Sequence, residues 1–479
     1  MNYSMISYIL GWIFNFEAAF MILPGITAII YREKNGLAFL ITMLICLTIG
    51  IPLTRRKRKS KVFHAKEGAV TVALSWLVLS IAGALPFIIS ESIPHPIDAI
   101  FETVSGFTTT GASILSDVEA LSHCMLIWRS FTHWIGGMGV LVFILCLLPL
   151  TGGYHMNLMK AESPGPSVSK LVPKVQSTAK ILYTIYIILT IVEIIFLLIG
   201  KMPLFDTLCL SFGTAGTGGF GIKNDSIASY STYNQVVITV FMILFGINFN
   251  AYYLLLTKKV MQAAKNEEVR YYLGIIGLAI VAIAINTREM FTSFGRAFQQ
   301  AAFQVGSIIT TTGYATTDFN VWPVFSKTIL VILMFVGACA GSTGGGIKVS
   351  RLLILCKSAR KELQLYLHPN AVKKIKMDDK AIPHEVVRAT NMFLFVYIMI
   401  FVTSLLIISL DNLDMISNFT AIAATLNNIG PGLGAVGPTG NFDTYSYISK
   451  AVMIFDMLAG RLEVFPLLLL FKRDTWRKF

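Results

Sequence analysis

The sequence has little charge and few cysteines. Only 14% of its 479 residues are charged, against about a quarter in an average soluble domain, and 55% are hydrophobic. Its six cysteines form neither a C-x-x-C pair nor a metal-ligand spacing, which argues against a zinc site or a disulfide framework. No catalytic set of nucleophile, base and orienting acid is evident. We therefore expect a bilayer protein that is not an enzyme and binds no cofactor of its own.

Apolar segments of about 20 residues, the length that crosses a bilayer as a helix, recur along the chain. The first is followed by a second with no small-residue cleavage site between them, so we expect a retained helix and not a signal peptide. Four half-apolar stretches lie between the later segments, each too short to cross. The predicted spans are 6–30, 36–53, 68–92, 124–150, 179–200, 233–257, 271–291, 321–356, 387–410 and 445–471; the short stretches are 97–108, 203–215, 295–310 and 413–427.

Basic residues cluster in a way that predicts orientation. Most of the 39 lysines and arginines lie in the segments 54–67, 151–180, 257–270, 348–388 and 472–479. In a ten-span arrangement these five segments share one face, which the positive-inside rule makes cytoplasmic, together with both termini. Contact of this face with anionic membrane lipid accounts for the net charge of +13 without nucleic acid as a partner.

Each short stretch ends in a strip rich in threonine, glycine or asparagine. Non-helical backbone at membrane depth must line protein or water, and four such strips around one axis can aim carbonyl oxygens at a dehydrated cation. A single strip would read as an ordinary glycine-rich turn, but four at matching positions, about a hundred residues apart, favour a duplicated hairpin. The predicted filter residues are Thr109, Thr110 and Gly111; Gly216, Thr217 and Gly218; Thr311, Thr312 and Gly313; and Asn428, Ile429 and Gly430.

The fold class that follows is an all-α membrane protein. Four pseudo-repeated helix–pore loop–helix units surround a central pore, preceded by two N-terminal transmembrane helices. The predicted division is 1–60 for the two N-terminal helices, and 61–175, 176–265, 266–380 and 381–479 for the four pore repeats.

Two further features lie within the third and fourth repeats. Residues 337–346 are half glycine, so a continuous helix would be costly, and an irregular intramembrane loop facing the pore is expected; a flexible helix kink is the alternative. Arg461, placed in the last span, is a functional candidate by its location, or else a structural ion pair with Asp456 or Glu463. Lys348 and Arg351 are expected to be cytoplasmic anchors.

Two segments resemble nucleotide-binding motifs, but neither is expected to bind a nucleotide. Residues 216–221 fit G-x-G-x-x-G, but the motif requires a strand–helix unit that an apolar hairpin does not supply. Residues 341–348 resemble a phosphate-binding loop but have Ile347 where lysine is required.

The four strips resemble the filters of the Trk/Ktr/HKT potassium-transporter superfamily over residues 68–471. The two additional N-terminal helices and the segment Gly460-Arg461-Leu462-Glu463 resemble the TrkH branch. The resemblance implies a preference for potassium, which in this superfamily accompanies glycine at all four filter positions, here aligned as Gly111, Gly218, Gly313 and Gly430. Potassium is then the transported ion, bound at the filter.

The resemblance also implies a gate, partners and a location. An intramembrane loop would close the pathway below the filter, with the arginine beside it in the pore. The implied partners are a second copy of the chain, in a homodimer, and a TrkA-like cytoplasmic ring that binds nucleotides; the implied location is a bacterial cytoplasmic membrane. The gate residues are Gly341, Ser342, Thr343, Gly344, Gly345, Gly346 and Arg461.

Three functions of different class remain open on the sequence. A channel-like pathway would pass potassium when its gate opens, whereas a symporter would couple potassium to protons or sodium. A membrane enzyme or assembly scaffold would require the four strips to be coincidental.

Overall fold

The computed structural model describes residues 1–55, 64–139, 175–370 and 373–476. For residues 175–178 it describes the backbone only. Most of the basic run after Arg55, the second part of the predicted span 124–150 and most of the basic segment 151–180 lie outside the described residues. Within them the chain is mostly helical, with only two very short strands, and the predicted all-α membrane fold with pore-loop repeats is confirmed.

The N-terminal unit consists of three helices that pack on one another. Helices α1 (Tyr3–Phe20) and α2 (Ile22–Tyr31) follow each other closely, and α3 (Gly36–Arg55) runs back along α1. The contact is close because Gly11 and Gly50 face each other: an added Cβ on Gly50 would lie 2.8 Å from the Gly11 carbonyl oxygen. Small residues permit such close approach between membrane helices.

Four helical hairpins follow, each with a short helix between its two longer arms. The short helices match the predicted stretches to within about two residues, which is the usual uncertainty of helix ends. The first hairpin is α4 (Ala65–Ile89), α5 (Pro96–Phe107) and α6 (His123–Gly137); the second is α7 (Val175–Ile199), α8 (Leu204–Gly216), α9 (Thr232–Phe245) and α10 (Phe249–Leu256). After α11 (Val260–Ala264), the third is α12 (Glu267–Asn286), α13 (Phe294–Ile309), α14 (Val324–Val336) and α15 (Val349–Leu367), and the fourth is α16 (His384–Ile408), α17 (Met415–Asn427), α18 (Tyr447–Arg461) and α19 (Phe465–Phe471), before the short α20 (Arg473–Trp476).

The second arms of the last three hairpins are interrupted, so the predicted spans 233–257 and 445–471 are not single helices. The chain bends by 90° between α9 and α10, and α18 and α19 are separated by Glu463 and Val464, whose φ angles are 55° and 69°. The second arm of the third hairpin is interrupted at the predicted loop, between α14 and α15. In the described part of the chain, six helices are long and apolar enough to cross a membrane, or seven if the bent pair is one span.

Outward-facing apolar side chains give the molecule a lipid-compatible surface. Ile29, Leu278 and Leu406 are 78%, 76% and 67% exposed, although each lies on a membrane-length helix. Such side chains are stable against hydrocarbon and not against water. The buried core instead lies around the short helices and their strips, where threonine and asparagine are fully enclosed.

Beyond the third hairpin a small β-hairpin interrupts the helical pattern. Strands β1 (Lys376–Met377) and β2 (Lys380–Ala381) pair antiparallel, with Met377 opposite Lys380. Both turn residues, Asp378 and Asp379, have positive φ angles, as a two-residue type I′ turn requires. Single-turn 3-10 helices lie at Arg288–Met290, Phe319–Val321, Ser409–Asp411 and Gly434–Val436.

Candidate ion pathway

All four short helices end in the same hydrogen-bonded turn. In the first, the Thr109 N–H donates to the Gly106 carbonyl and the Thr110 N–H to the Ser105 carbonyl, at 3.1 and 2.8 Å. This pair of bonds is the Schellman motif. The equivalents of the second bond in the other three join Gly218 to Gly213, Thr312 to Ser307 and Ile429 to Ala424, at 2.9, 2.8 and 2.9 Å.

After this turn, the φ angles of successive residues in each strip alternate in sign. The first residue is left-handed, with φ of 56° at Thr109, 54° at Thr217, 59° at Thr311 and 56° at Asn428. The second residue has an ordinary negative φ, and the third is a left-handed glycine. Alternation of this kind turns successive carbonyls toward the same side of the strip, which is what cation coordination requires.

The alternation corrects the predicted alignment of the second strip by one residue. The third-position glycines are Gly111, Gly219, Gly313 and Gly430, with φ of 79°, 79°, 86° and 98°. Gly219, and not Gly218, is therefore equivalent to Gly111, and Gly216 is the last residue of α8 and not part of the strip proper. The sequence alignment failed because the run Gly216-Thr217-Gly218-Gly219 offers two glycines for one position, and only the backbone conformation separates them.

The four strips close into a ring. An added Cβ on Gly111 would meet the carbonyl oxygen of Gly218, one on Gly219 that of Thr312, and one on Gly313 that of Ile429. The cycle returns through Gly430, whose added Cβ would lie 2.9 Å from the Thr110 carbonyl oxygen. Each glycine thus faces the carbonyl that precedes the corresponding glycine of the next repeat. The contacts run from the first repeat to the second, third and fourth and back to the first. This is the order expected of four pseudo-equivalent repeats around one axis.

A cavity of about 190 Å³ opens on one side of the ring, and all four third-position glycines line it. Buried ion pairs hold its wall: Arg129 lies 2.7 Å from Glu102, and Lys450 lies 2.7 Å from Asp98. The Glu102 carboxylate also accepts the Ile114 N–H at 3.1 Å. The first pair therefore fixes the chain just beyond the first strip relative to α6, and the second pair joins the start of α5 to α18.

The intramembrane loop lies against the opposite side of the ring. No helix forms between Val336 and Val349 in this described stretch, so the loop prediction holds and the helix-kink alternative does not. The Gly345 N–H donates to the Thr311 hydroxyl at 2.6 Å, and the Gly346 N–H donates to the Asn427 carbonyl at 3.0 Å. An added Cβ on Gly344 would lie 2.9 Å from the Thr310 carbonyl oxygen. The loop therefore packs directly on two of the four strips.

Arg461 links this loop to the first hairpin. It is the last residue of α18 and only partly buried, so it lies at the break that divides the predicted span 445–471. Its guanidinium donates to the Thr343 carbonyl at 3.0 Å, to the Gly137 carbonyl at 2.8 Å and to the Gly136 carbonyl. The proposed acidic partners are engaged elsewhere, since Glu463 pairs with Arg351 and Asp456 accepts from Ser404 at 2.8 Å.

Comparisons with known proteins agree with this arrangement. The family model of the cation transport protein TrkH matches residues 35–477. The chain belongs to the TrkH family. It is 38% identical to the Trk system potassium uptake protein TrkH of Salmonella typhimurium and 37% identical to that of Vibrio parahaemolyticus, with the full length of both chains covered in each case. The crystal structure of the potassium transporter TrkH from Vibrio parahaemolyticus matches with a TM-score of 0.89 at 34% identity over both whole chains.

Two basic residues after the loop occupy different places from those predicted for this TrkH-family chain. Lys348 and Arg351 were expected at the cytoplasmic surface, but they are only 3% and 6% exposed. The Lys348 ammonium group donates to the Gly345 carbonyl at 3.1 Å and to the Gly344 carbonyl. The Arg351 guanidinium lies over the Phe393 ring at 3.9 Å. Lys348 therefore places a second basic side chain within the loop of this TrkH-family chain.

Glu268, near the beginning of α12, also holds the loop in place, and the sequence did not predict this role. One of its carboxylate oxygens accepts the Ala340 N–H at 2.6 Å and the Ser350 N–H at 3.1 Å. The other accepts from the Asn248 amide at 3.4 Å, at the bend between α9 and α10. In the sequence, a glutamate at the beginning of an apolar helix is indistinguishable from a solvent-exposed helix end. Its role shows only in the folded structure, where the side chain is buried, with 3% exposure.

No resident metal site accompanies the pathway in the part of the chain that the structure describes. Groups of three or more His, Cys, Asp or Glu side chains placed to hold a metal ion are absent there. The oxygen atoms that line the ring of this TrkH-family chain are backbone carbonyls and hydroxyls, which suit a monovalent cation in transit.

Proposed function

We propose that the chain is the membrane subunit of a potassium uptake system, with a gated, channel-like pathway. The observation that carries the proposal is the closed ring of four strips, in which the glycine of each strip lies beside a backbone carbonyl of the next. The names of the full-length relatives, potassium uptake proteins at 37–38% identity, support the choice of ion. Potassium would bind at residues 109–111, 217–219, 311–313 and 428–430, with its hydration shell replaced by carbonyl oxygens.

The loop and its two cations would form the closed gate. Hydrogen bonds from the Gly345 and Gly346 N–H groups hold the loop against the ring, and the basic side chains of Lys348 and Arg461 lie in or beside that loop. A fixed positive charge in a low-dielectric passage opposes an approaching cation. Opening would require the loop to leave the ring and the two cations to move with it.

Regulation would come from outside this chain. We propose a homodimer in a bacterial cytoplasmic membrane, with both termini cytoplasmic and a TrkA-like nucleotide-binding ring on the cytoplasmic face. The basic segments at 257–270 and 357–388, with the β-hairpin within the second, would offer that face a positively charged surface for the ring or for anionic lipid. The orientation rests on the positive-inside rule.

The test is rubidium flux into liposomes that contain the purified chain, with and without the co-encoded cytoplasmic subunit and with the nucleotide varied. We expect flux that potassium competes for and that the subunit and nucleotide modulate. If no condition produces flux, the transport proposal fails. Flux that ignores the subunit would leave transport standing and reject the regulatory part.

A coupled symporter is the second candidate, favoured by two buried acids. Glu17 on α1 and Glu193 on α7 have no exposed surface, and their carboxylate oxygens have no hydrogen-bond partner in the described residues. Intramembrane carboxyl groups of this kind mark proton pathways in transporters. Coupling would require that Glu193→Gln or Glu17→Gln change the stoichiometry of potassium and proton movement.

A further inference from the structure

The second strip has glycine at two positions where the first and third strips have threonine. In the first strip, the Thr108 and Thr110 hydroxyls bond each other at 2.8 Å, and in the third, Thr310 and Thr312 do the same at 2.7 Å. The second strip has Gly216 and Gly218 at the equivalent positions and cannot form this brace.

His133 of α6 fills the vacated space. An added Cβ on Gly218 would collide with the imidazole ring, and one on Gly216 would lie 3.0 Å from the His133 Cβ. The ring is fully buried, and the Phe220 ring packs on it at a centroid distance of 4.3 Å. A threonine at position 218 and an imidazole at position 133 therefore exclude each other.

Both ring nitrogens bind backbone atoms of the filter region. Nδ1 lies 2.8 Å from the Gly106 carbonyl oxygen of the first short helix, and Nε2 lies 3.2 Å from the Phe220 nitrogen, directly after Gly219. Because the Phe220 N–H can only donate, Nε2 must accept, and Nδ1–H must donate to Gly106. The imidazole is therefore neutral and has one defined tautomer, which joins the first and second repeats behind the ring.

We propose that His133 is the positioning residue of the second strip and that it helps to set the discrimination between potassium and sodium. The proposal rests on the filter function above. His133 does not face the ion; it replaces the threonine brace and fixes the chain on the far side of Gly219. Loss of either hydrogen bond would release the Gly218 carbonyl that lies against Gly111, and a looser ring would distinguish cations of different size less well.

The test compares substitutions that separate the two hydrogen bonds. His133→Asn keeps a donor near the Nδ1 position, and His133→Gln keeps an acceptor near the Nε2 position. We expect His133→Ala to lower the potassium-to-sodium permeability ratio at least about fivefold, the equivalent of one lost hydrogen bond, and His133→Gln to restore more of it than His133→Asn. His123→Ala is the matched control, since His123 begins the same helix, is remote from the ring and stacks on Tyr31.

A double substitution tests the exclusion between the two side chains. Gly218→Ala alone should impair flux and selectivity because its Cβ meets the imidazole, whereas Gly218→Ala combined with His133→Ala should be less harmful than the separate effects predict. An unchanged permeability ratio in folded, conducting His133→Ala protein would overturn the proposal. If His133→Ala does not fold, two other results together would overturn the proposal. One is that Gly218→Ala lowers flux and selectivity equally in the wild-type and His133→Gln backgrounds. The other is that His133→Gln and His133→Asn leave the potassium-to-sodium permeability ratio unaltered. Absence of flux in the wild-type protein would instead reject the filter function itself.

Discussion

At the scale of single residues, the four strips hold strained backbone. Thr109, Thr217 and Thr311 are β-branched residues in the left-handed region, where such residues are rare, at a cost on the order of 1 kcal/mol or more each. The Schellman bonds and the contacts between neighbouring strips keep them there. Strain of this kind persists where the surroundings determine the backbone, and here it lies on the proposed ion path.

Gly111→Ser should weaken discrimination against sodium. The added side chain would displace the Gly218 carbonyl and strain a residue with φ of 79°. We expect the potassium-to-sodium permeability ratio to fall on the order of tenfold, as a change of about 1.4 kcal/mol would produce. Bi-ionic potentials in planar bilayers measure the ratio. Gly277→Ser is the control, since nothing lies within 4 Å of an added Cβ there; an unaltered ratio in Gly111→Ser would count against the filter assignment.

Arg461→Ala should raise the basal leak of cations in the absence of the regulatory subunit. The substitution removes a positive charge and three hydrogen bonds to carbonyls of the loop and of α6. We expect a rise on the order of tenfold, corresponding to about 1.4 kcal/mol of barrier, in rubidium influx into liposomes. Arg461→Lys keeps the charge and should leak less than Arg461→Ala, whereas equal influx in Arg461→Ala and wild type would remove the barrier role.

At the scale of elements, the intramembrane loop is held at both ends by one carboxylate. Glu268 binds the N–H groups of Ala340 and Ser350, which lie on either side of the loop's glycines at 341–346. The residue before it, Glu267, pairs with Lys357 at 2.5 Å, and its N–H donates to Asp378 of the β-hairpin at 2.7 Å. A short path of contacts therefore joins the β-hairpin to the loop.

Glu268→Ala should loosen the loop and raise the basal flux. Each buried N–H that loses its partner costs about 1–3 kcal/mol, and in the closed state two would do so. We expect basal rubidium flux to rise about tenfold or more. Glu268→Gln retains an acceptor and should have a smaller effect. The neighbouring Glu267→Ala breaks a partly exposed ion pair and should change flux little; a larger effect from it than from Glu268→Ala would contradict this role.

The sequence predicted the elements better than their interruptions. Hydrophobic length and strip composition located the four short helices, the first arms of the hairpins and the glycine-rich loop. The breaks at Gly246–Asn248 and at Glu463–Val464 were missed because hydropathy averages over a few irregular residues. Lys348, Arg351 and Glu268 were misread or missed for a different reason: their charges are buried by segments distant in the chain, so no local pattern marks them.

At the scale of the whole molecule, the two proposed functions differ in whether ion movement is coupled. The proposed gated path through the ring would carry passive flow, since the loop and its basic side chains would only have to move aside. The buried Glu17 and Glu193 are the features that would support coupling to protons. The two schemes differ in which gradients set the membrane potential at zero current.

We expect the reversal potential of the open protein to follow the potassium gradient alone. It should shift by about 59 mV for a tenfold change in potassium, the value for one charge per ion, and should not move when a pH gradient is imposed. Reconstituted bilayers with the regulatory subunit and its nucleotide provide the measurement. A shift with pH that Glu193→Gln abolishes would instead establish coupling, whereas a shift that survives it would point to another proton site.

The ring of glycines and carbonyls is built from one polypeptide, and this has a consequence for how such a protein can change. In an assembly of four identical subunits, any substitution is copied four times around the axis, so a bulky imidazole or an intrusive loop would be placed in every quadrant. Here each quadrant is encoded separately. One can acquire a histidine brace, another a blocking loop and another an arginine, and mutation can revise one of these tasks while the other three quadrants stay as they are.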